Sequence, residues 1–302
     1  MMREKSGVET AVSAVTAVSS VTAVVLGNMQ DGGLPHIGCR CAHCLAAQHQ
    51  PQYAACLAII DKRQNPPGVY LLDATPDIKY QLNLLANVLG PHPTRPARLR
   101  QPDAIFLTHA HMGHIGGLPQ LGPEAMAAQN LPVYAAAPLI ELLQAARMWR
   151  PLLDCLQLRP FTPMQPLTLA SDLILTPIPV PHRDEWDVGT FAFHVQGPGK
   201  SLLYLPDIDT WDLWTERALL FNVDYALVDA SFWSTDELGG RAPVAHPLVP
   251  DTLARFAHIP GQLVLTHLNH TNPLLDRQSA PFVQVCAANV QIAHTGQLFH
   301  LL

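Results

Sequence analysis

The segment Leu107-Thr108-His109-Ala110-His111-Met112-Gly113-His114 places three histidines within six residues, directly after the largely apolar run 103–107. The apolar run predicts a strand. A tight turn after a strand lets neighbouring side chains point at one ion, whereas a continued strand would send His109 and His114 to opposite faces. Imidazole is the commonest protein ligand for zinc, iron and manganese. The segment therefore predicts a metal centre; the alternative is a polar loop that happens to be rich in histidine.

Four more polar residues each follow an apolar run or close one. They are Asp73 after 69–72, His182 after 179–181, Asp207 after 203–206 and His267 after 263–266. Each occurrence alone is a weak signal, because a polar residue after a strand is commonplace. Their order along the chain, together with the histidine segment, makes the set a strong one.

This ordered set resembles the metallo-β-lactamase superfamily, whose signature is His-x-His-x-Asp-His, except that Gly113 stands where the aspartate is expected. The resemblance implies an α/β (α+β) fold, a four-layer αββα sandwich. It also implies two metal ions in the active centre. Asp73, the first of the motif residues along the chain, would belong to the catalytic residues without binding metal itself. The implied ligands are His109, His111 and His182 for one ion, and His114, His267 and a bridging Asp207 for the other. Without a carboxylate at 113 we expect the second ion to bind more weakly, so the centre holds one or two ions of zinc, manganese or iron.

A second metal signal is Cys39-Arg40-Cys41-Ala42-His43-Cys44. Disulfides between such close neighbours would be strained, whereas thiolates at these spacings can converge on zinc. Free surface thiols are the alternative. Phosphodiesterases such as PhnP resemble this chain in having such a cluster, and the resemblance implies that His270 completes a structural zinc site with Cys39, Cys41 and Cys44. His43 and His246 are competing fourth ligands.

His246 precedes an apolar, predicted helix and lies between the Asp207 and His267 motifs. This place resembles that of the catalytic histidine of RNase Z-like and PhnP-like members. The resemblance implies a catalytic role for His246 in proton transfer or substrate binding, beside Asp207 and Asp73. A merely exposed histidine at a helix start is the alternative. Five aromatic residues, which are candidates for stacking on a substrate ring or for the core, are Trp186, Trp211, Trp214, Phe232 and Trp233.

Three segments resemble one branch of the superfamily, the PqqB-like proteins of coenzyme PQQ synthesis. They are 32–35, 228–233 and 267–273. That branch generally lacks the intact histidine triplet, so the chain is expected to be a PqqB-like hydrolase that cleaves a phosphodiester or related ester with a metal-bound hydroxide. One alternative is a PqqB-type iron-dependent oxygenase using His114, His267 and Asp207. A carrier or accessory protein in pyrroloquinoline quinone synthesis is another.

Composition narrows the class of protein. The chain has 302 residues, 48% of them apolar and 14% charged, which indicates a globular protein. A net charge of −6 without a long basic run argues against nucleic acid, and no apolar run is long enough for a membrane span. We expect a small-molecule or short-peptide substrate and leave a homodimer open. Cysteines kept reduced for metal fit the cytoplasm.

The domain prediction is a flexible tail over 1–20 and a single domain over 21–302; a secretion signal is the alternative for the tail. Predicted strands cover 21–26, 54–60, 68–73, 132–134, 173–180, 190–196, 201–205, 225–229 and 263–266. Predicted helices cover 76–89, 116–129, 138–149 and 249–257. A parallel doubly wound fold is the structural alternative, but Asp31-Gly32-Gly33-Leu34-Pro35 lacks the spacing of its phosphate loop.

Overall fold

The fold is built on two seven-stranded sheets packed face to face. A computed structural model describes residues 20–241, 243 and 245–302. The first sheet has the order β16-β1-β2-β3-β6-β7-β8, the second the order β15-β14-β13-β12-β11-β10-β9, and β4 and β5 form a separate hairpin. The predicted αββα sandwich is confirmed.

The strands up to the middle of the chain are β1 (Val21–Gly27), β2 (Cys56–Asp61), β3 (Gly68–Leu72), β4 (Pro91–His92), β5 (Arg95–Leu99), β6 (Ala104–Phe106), β7 (Leu131–Ala136) and β8 (Leu156–Phe161). The later strands are β9 (Leu167–Ala170), β10 (Leu173–Val180), β11 (Thr190–Gln196), β12 (Ser201–Leu205), β13 (Tyr225–Asp229), β14 (Gln262–Thr266), β15 (Gln291–Ile292) and β16 (Leu298–His300).

The α-helices are short. They are α1 (Ala42–Ala46), α2 (Ile78–Leu84), α3 (Ala86–Leu89), α4 (Met112–Ile115), α5 (Ala137–Ala145), α6 (Arg150–Leu153), α7 (Val249–Phe256) and α8 (Ala280–Ala287). Single turns of 3₁₀ helix occur between them at Ala47–His49, Leu118–Leu121, Arg147–Trp149, Arg217–Phe221, Thr235–Leu238 and Pro273–Leu275. None of the helices in the described ranges has the length and apolarity that a bilayer-spanning segment needs.

The layers explain why the central strands are apolar on both faces. In β1, Val21, Ala23 and Val25 pack into the core between the two sheets. Their neighbours Val24 and Leu26 point the other way, into the core beneath the helices that cover the first sheet. A strand buried on both sides reads as a continuous apolar run rather than an alternating one, as β1 does.

Strand direction places the polar residues together. Strands β3, β6 and β7 run parallel in the first sheet, and β12, β13 and β14 run parallel in the second. Parallel strands present their carboxyl ends at one edge, where sites in such sheets form. The segments that follow these strands, including 73–75, 107–114 and 267–270, therefore meet at one edge of the sandwich.

The strand predictions agree closely with the structure, but one helix prediction is wrong. The predicted helix over 116–129 is a single 3₁₀ turn at Leu118–Leu121. Proline and glycine at 116, 117, 119, 122 and 123 interrupt the helix, since proline removes a donor and glycine is a poor helix former. The predicted helix over 76–89 is divided at Leu85 into α2 and α3.

Six of the described strands were not predicted. They are β4 and β5, which form a hairpin, and the strands β8, β9, β15 and β16. The predicted tail over 1–20 falls outside the described residues except for Ser20, and the single domain over 21–302 stays a prediction.

Candidate metal centre

The predicted active-centre residues lie together at the shared edge of the two sheets. His109, His111 and His114 follow β6, and Asp73 follows β3. From the second sheet come the residues that follow β10, β12 and β14, namely His182, Asp207 and His267. The residues are far apart in sequence and meet because their strands end at the same edge.

Three imidazoles form the first group of donor atoms. Nε2 of His109 lies 2.9 Å from Nδ1 of His111, and Nε2 of His182 lies 3.3 Å from the same atom. Asp207 Oδ1 lies 3.7 Å from His182 Nε2. Ring nitrogens from three side chains facing one point are the donor set that zinc and similar ions bind. The residues therefore fit one divalent ion.

Asp207 also reaches the second group of donor atoms. Its Oδ2 lies 3.0 Å from Nε2 of His114 and 3.5 Å from Nε2 of His267. All three atoms are buried, and none has a hydrogen-bond partner among the described residues. Buried polar atoms are almost always paired, so a converging set without partners fits a cation. The two oxygens of Asp207 thus face two different groups of histidines, as a bridging ligand would.

The ring nitrogens that point away from the centre contact oxygen atoms. This arrangement fixes the orientation of each imidazole and keeps the inner nitrogen available for metal. The pairs are His109 Nδ1 with Thr108 Oγ1 at 2.9 Å, His111 Nε2 with Glu185 Oε2 at 2.9 Å, His114 Nδ1 with Asp73 Oδ2 at 2.7 Å, His182 Nδ1 with Asp209 Oδ1 at 2.8 Å, and His267 Nδ1 with Ser231 Oγ at 3.1 Å.

Asp73 lies behind the donor atoms. It is fully buried, accepts hydrogen bonds from Thr108 N at 2.8 Å and Thr108 Oγ1 at 2.9 Å, and contacts the outer nitrogen of His114. The structure therefore gives Asp73, predicted as part of the catalytic set, the place of a positioning residue.

Burial and neighbouring charges shift the pKa values of the centre in opposite directions. Burial alone would lower the pKa of His114, but the carboxylates of Asp73 and Asp207 raise it well above its usual range. Burial and the neighbouring His114 hold the pKa of His109 well below its usual range. Burial opposes ionisation of Asp207, yet His267 and His114 hold its pKa well below the ordinary value. One carboxylate among several imidazoles thus stays charged, as a metal ligand must.

His246 lies at the same edge, before α7, with a left-handed backbone at φ 71°. Its Nδ1 is 2.6 Å from Oδ2 of Asp229 and 3.9 Å from Oδ1 of Asp207. Burial alone would lower the pKa of His246, but Asp229 outweighs burial and raises that pKa to about 9. His246 is therefore an imidazolium at neutral pH, beside the donor atoms.

The cysteine cluster lies beside this centre with His270. Nδ1 of His270 is 3.6 Å from Sγ of Cys39, 3.7 Å from Sγ of Cys41 and 3.6 Å from Sγ of Cys44. Zinc bonds of about 2.3 Å to sulfur and about 2.0 Å to nitrogen give ligand separations of roughly 3.5 Å in a tetrahedron. The four side chains fit a closed zinc site.

The two competing fourth ligands of that zinc site lie elsewhere. Nδ1 of His43 is 3.0 Å from the carbonyl oxygen of His270, so this ring contacts the main chain rather than the thiolates. His246 belongs to the active-centre group with Asp229.

A cavity of about 290 Å³ opens beside His246. It is lined by Gln30, Arg183, Phe232, Leu238, Arg241, Pro243, Ala245 and His246. Among the aromatic candidates, Trp211 and Trp214 are fully buried core residues, whereas Trp186 is 47% exposed with its ring centroid 6.1 Å from that of His111. Three of the five candidates are thus buried, and one of these, Phe232, also lines the cavity.

Sequence reasoning missed three acidic residues of the centre. Asp209 contacts His182, Asp229 contacts His246, and Asp31 lies 3.5 Å from Nε2 of His114. Asp229 closes an apolar strand in the same way as Asp207 follows one, so the pattern used for Asp207 could have found it. Asp31 follows β1 by four residues, and only the missing carboxylate at 113 could have directed attention to it.

Comparison with known proteins agrees with this architecture. The chain is 27% identical to the coenzyme PQQ synthesis protein B of Methylobacterium sp. (strain 4-46), over 91% of this chain and 98% of that protein. Zinc-bound PqqB from Methylobacterium extorquens superposes with a TM-score of 0.77 at 23% identity, over 92% of this chain and 99% of that one. A diphosphatase of the PhnP family superposes with a TM-score of 0.67 at 21% identity, over 93% and 96%. At these identities the two structures show a shared fold.

A family model settles the membership. The β-lactamase superfamily domain matches residues 69–273, which include the histidine segment, Asp207 and both His267 and His270. That match spans more than half of the chain. The chain therefore belongs to the β-lactamase superfamily and has the metallo-β-lactamase fold.

Proposed function

We propose that this protein is a metal-dependent hydrolase that cleaves a phosphodiester or a related ester. The observation that supports the proposal is the convergence of unpaired donor atoms from His114, His267 and Asp207 next to the imidazoles of His109, His111 and His182. Ions held by these side chains would polarise an ester oxygen and bring the pKa of a bound water toward about 7. The cysteine cluster would hold zinc as a structural site.

The cavity beside the centre supports an anionic substrate. Arg183 and Arg241 line it, and the imidazolium of His246 closes one side. Among the described residues Arg241 has no carboxylate partner; its Nε donates to the carbonyl oxygen of Leu238 at 3.1 Å. Guanidinium groups bind phosphate oxygens through two parallel hydrogen bonds. The phosphoryl group would therefore lie between the arginines and the metal ligands.

His246 is placed to donate a proton to the leaving oxygen. Asp229 binds its Nδ1 and is itself fixed by hydrogen bonds from Ser231 Oγ at 2.8 Å and Ile208 N at 3.1 Å. The imidazole is therefore held in one orientation and stays protonated until a stronger base, the leaving alkoxide, takes its proton. Its Nε2 lies beside the cavity with the Gln30 amide group 3.3 Å away, and a proton on this Nε2 requires the amide to turn its oxygen toward the ring. A proton at Nε2 would neutralise the alkoxide as the ester bond breaks.

The relatives named for coenzyme PQQ synthesis favour a second candidate function, a role in that synthesis, for which we infer an iron-dependent oxygenase. His114, His267 and Asp207 provide two histidines and one carboxylate, the set that non-haem iron oxygenases use. Oxygen consumption by the iron-loaded protein on a tyrosine-containing peptide, without ester cleavage by the zinc- or manganese-loaded protein, would decide for the oxygenase.

Zinc- or manganese-loaded protein should cleave bis(p-nitrophenyl) phosphate, and His111→Ala should lower kcat/KM by about a thousandfold or more, because the first group loses one of its three imidazoles. Release of p-nitrophenol measures the rate. The exposed His49→Ala is the matched control and should leave the rate unchanged. Equal rates for the His111→Ala variant and the parent protein would contradict the proposal.

Arg241→Gln should raise KM for a phosphodiester about tenfold and change kcat by less than about threefold, because the guanidinium binds the phosphoryl group without taking part in bond cleavage. Steady-state kinetics on bis(p-nitrophenyl) phosphate separate the two constants. Arg98→Gln removes an exposed arginine from another part of the surface and serves as the control. An unchanged KM would remove the cavity from the proposed substrate site.

The pH dependence of kcat/KM should report His246. Its protonated form is the active one, so activity should fall as the pH rises through the pKa of about 9. Asp229→Asn removes the charge that raises this pKa, so the falling limb should move to lower pH by at least about one unit. Asp251→Asn, at an exposed pair with Arg255, is the control. Superimposable limbs for Asp229→Asn and the parent protein would exclude His246 as the acid.

Cys41→Ser should lose one equivalent of zinc and lower the midpoint of thermal unfolding by roughly 5–10 °C, because binding free energy at a structural site is folding free energy. Elemental analysis and calorimetry measure the two effects. Cys286→Ser changes an exposed cysteine outside the cluster and should do neither. Full zinc content in Cys41→Ser would show that the cluster does not hold the metal.

A further inference from the structure

Gly113 and Asp31 compete for the same space. A Cβ added at Gly113 would meet the Asp31 carboxylate oxygen and would lie 2.7 Å from the Asp31 Cα. The backbone at Gly113 is not in the left-handed region that would itself require glycine. The glycine is therefore needed because another side chain occupies its place, and that side chain carries a carboxylate.

The backbone around Asp31 is tied to the strand end that carries His267. Met29 pairs with Leu268 in a parallel bridge, Gln30 N donates to Leu268 O at 2.9 Å, and Leu268 N donates to Asn28 O at 2.9 Å. A turn closed by Gly33 N donating to Gln30 O at 2.8 Å follows. Asp31 is thus held in register with His267, although 236 positions separate the two residues in the sequence.

The Asp31 carboxylate faces the second group of donor atoms. Its Oδ1 lies 3.5 Å from Nε2 of His114 and 3.6 Å from Nε2 of His267. The same two nitrogens face Oδ2 of Asp207, at 3.0 Å from His114 and 3.5 Å from His267, and neither forms a well-aligned hydrogen bond among the described residues. Ligands about 2.0–2.2 Å from zinc are roughly 3.3–3.5 Å apart in a tetrahedron, which matches these separations.

We propose that Asp31 is a direct ligand of the second active-centre ion and supplies, from the loop after β1, the carboxylate that the superfamily motif places at position 113. The ligand set of this ion is then Asp31, His114, Asp207 and His267. The inference rests on the proposed two-ion centre. It replaces the expectation that the second ion binds weakly, because both ions then have a full set of ligands. The carboxylate comes from residue 31 instead of residue 113 but occupies the same place beside His114.

Zinc stoichiometry tests the proposal without using activity. The parent protein, dialysed against buffered zinc, should hold three equivalents: one at the cysteines and two at the active centre. Asp31→Asn should hold two, with the affinity for the third reduced at least about tenfold in competition with a chromophoric chelator. Asp172→Asn makes the same chemical change in an exposed turn and should keep three equivalents.

A swap of the two positions gives the sharper result. Gly113→Asp alone should not bind zinc more tightly, because Asp31 fills the space. In the double variant Asp31→Gly, Gly113→Asp, the Cα of residue 31 would still lie 2.7 Å from the new Cβ, so this variant recovers the third equivalent that Asp31→Asn loses only if the loop after β1 moves. Where the double variant does not fold, Asp31→Cys loaded with cobalt provides the readout: a thiolate-to-cobalt absorption band beyond that of the parent protein requires coordination by residue 31.

Three equivalents with unchanged affinity in Asp31→Asn, or no added band in Asp31→Cys, would overturn the proposal and leave Asp31 as a charge partner of the histidines. Failure of the proposed hydrolysis has a different signature. If the parent protein binds two active-centre ions through Asp31 but cleaves no ester, the ligand assignment stands and the reaction class is wrong.

Discussion

The arrangement of the site depends on buried donor atoms that the protein itself leaves unpaired. Nε2 of His114, Nε2 of His267 and Oδ2 of Asp207 are enclosed and have no hydrogen-bond partner among the described residues. An unpaired buried polar group costs about 1–3 kcal/mol. The contact of His114 with Asp207 at 3.0 Å satisfies these atoms only in part, and a cation bound by all three would satisfy them together. The outer contacts with Asp73 and Ser231 then make sense as supports that keep each ring turned inward.

The fold supplies this convergence through strand direction and through ties near the edge. Parallel strands of both sheets end there, and His270, three positions beyond His267, meets the cysteine cluster. Zinc bound by Cys39, Cys41, Cys44 and His270 would join the loop after β1 to the segment after β14. The bridge between Met29 and Leu268 joins the same two segments. Asp31, His267 and the ligands of the cysteine site are therefore placed by the junction of these two segments.

The sequence predicted what depends on local pattern. Apolar runs ending in Asp207 or His267 predicted strands and site residues together, because burial on both faces excludes polar residues until the strand ends. The helix over 116–129 was wrong because prolines and glycines outweigh apolar spacing there. Asp31 was missed because its role depends on proximity to Gly113, which is a tertiary property. The sequence of a ligand motif that contains a glycine does not show which distant side chain occupies the space beside that glycine.

Three residues of the site have strained backbone conformations, which indicates that the fold constrains the positions of their side chains. Asp73, His246 and His267 have φ values of 73°, 71° and 61°, in a region that costs about 1–3 kcal/mol for a residue with a side chain. Hydrogen bonds hold such a conformation in place, for example those that Thr108 donates to the carboxylate of Asp73. What the fold preserves is therefore the position of each donor atom in space, and an exchange between residues 113 and 31 is compatible with that constraint because it keeps a carboxylate there.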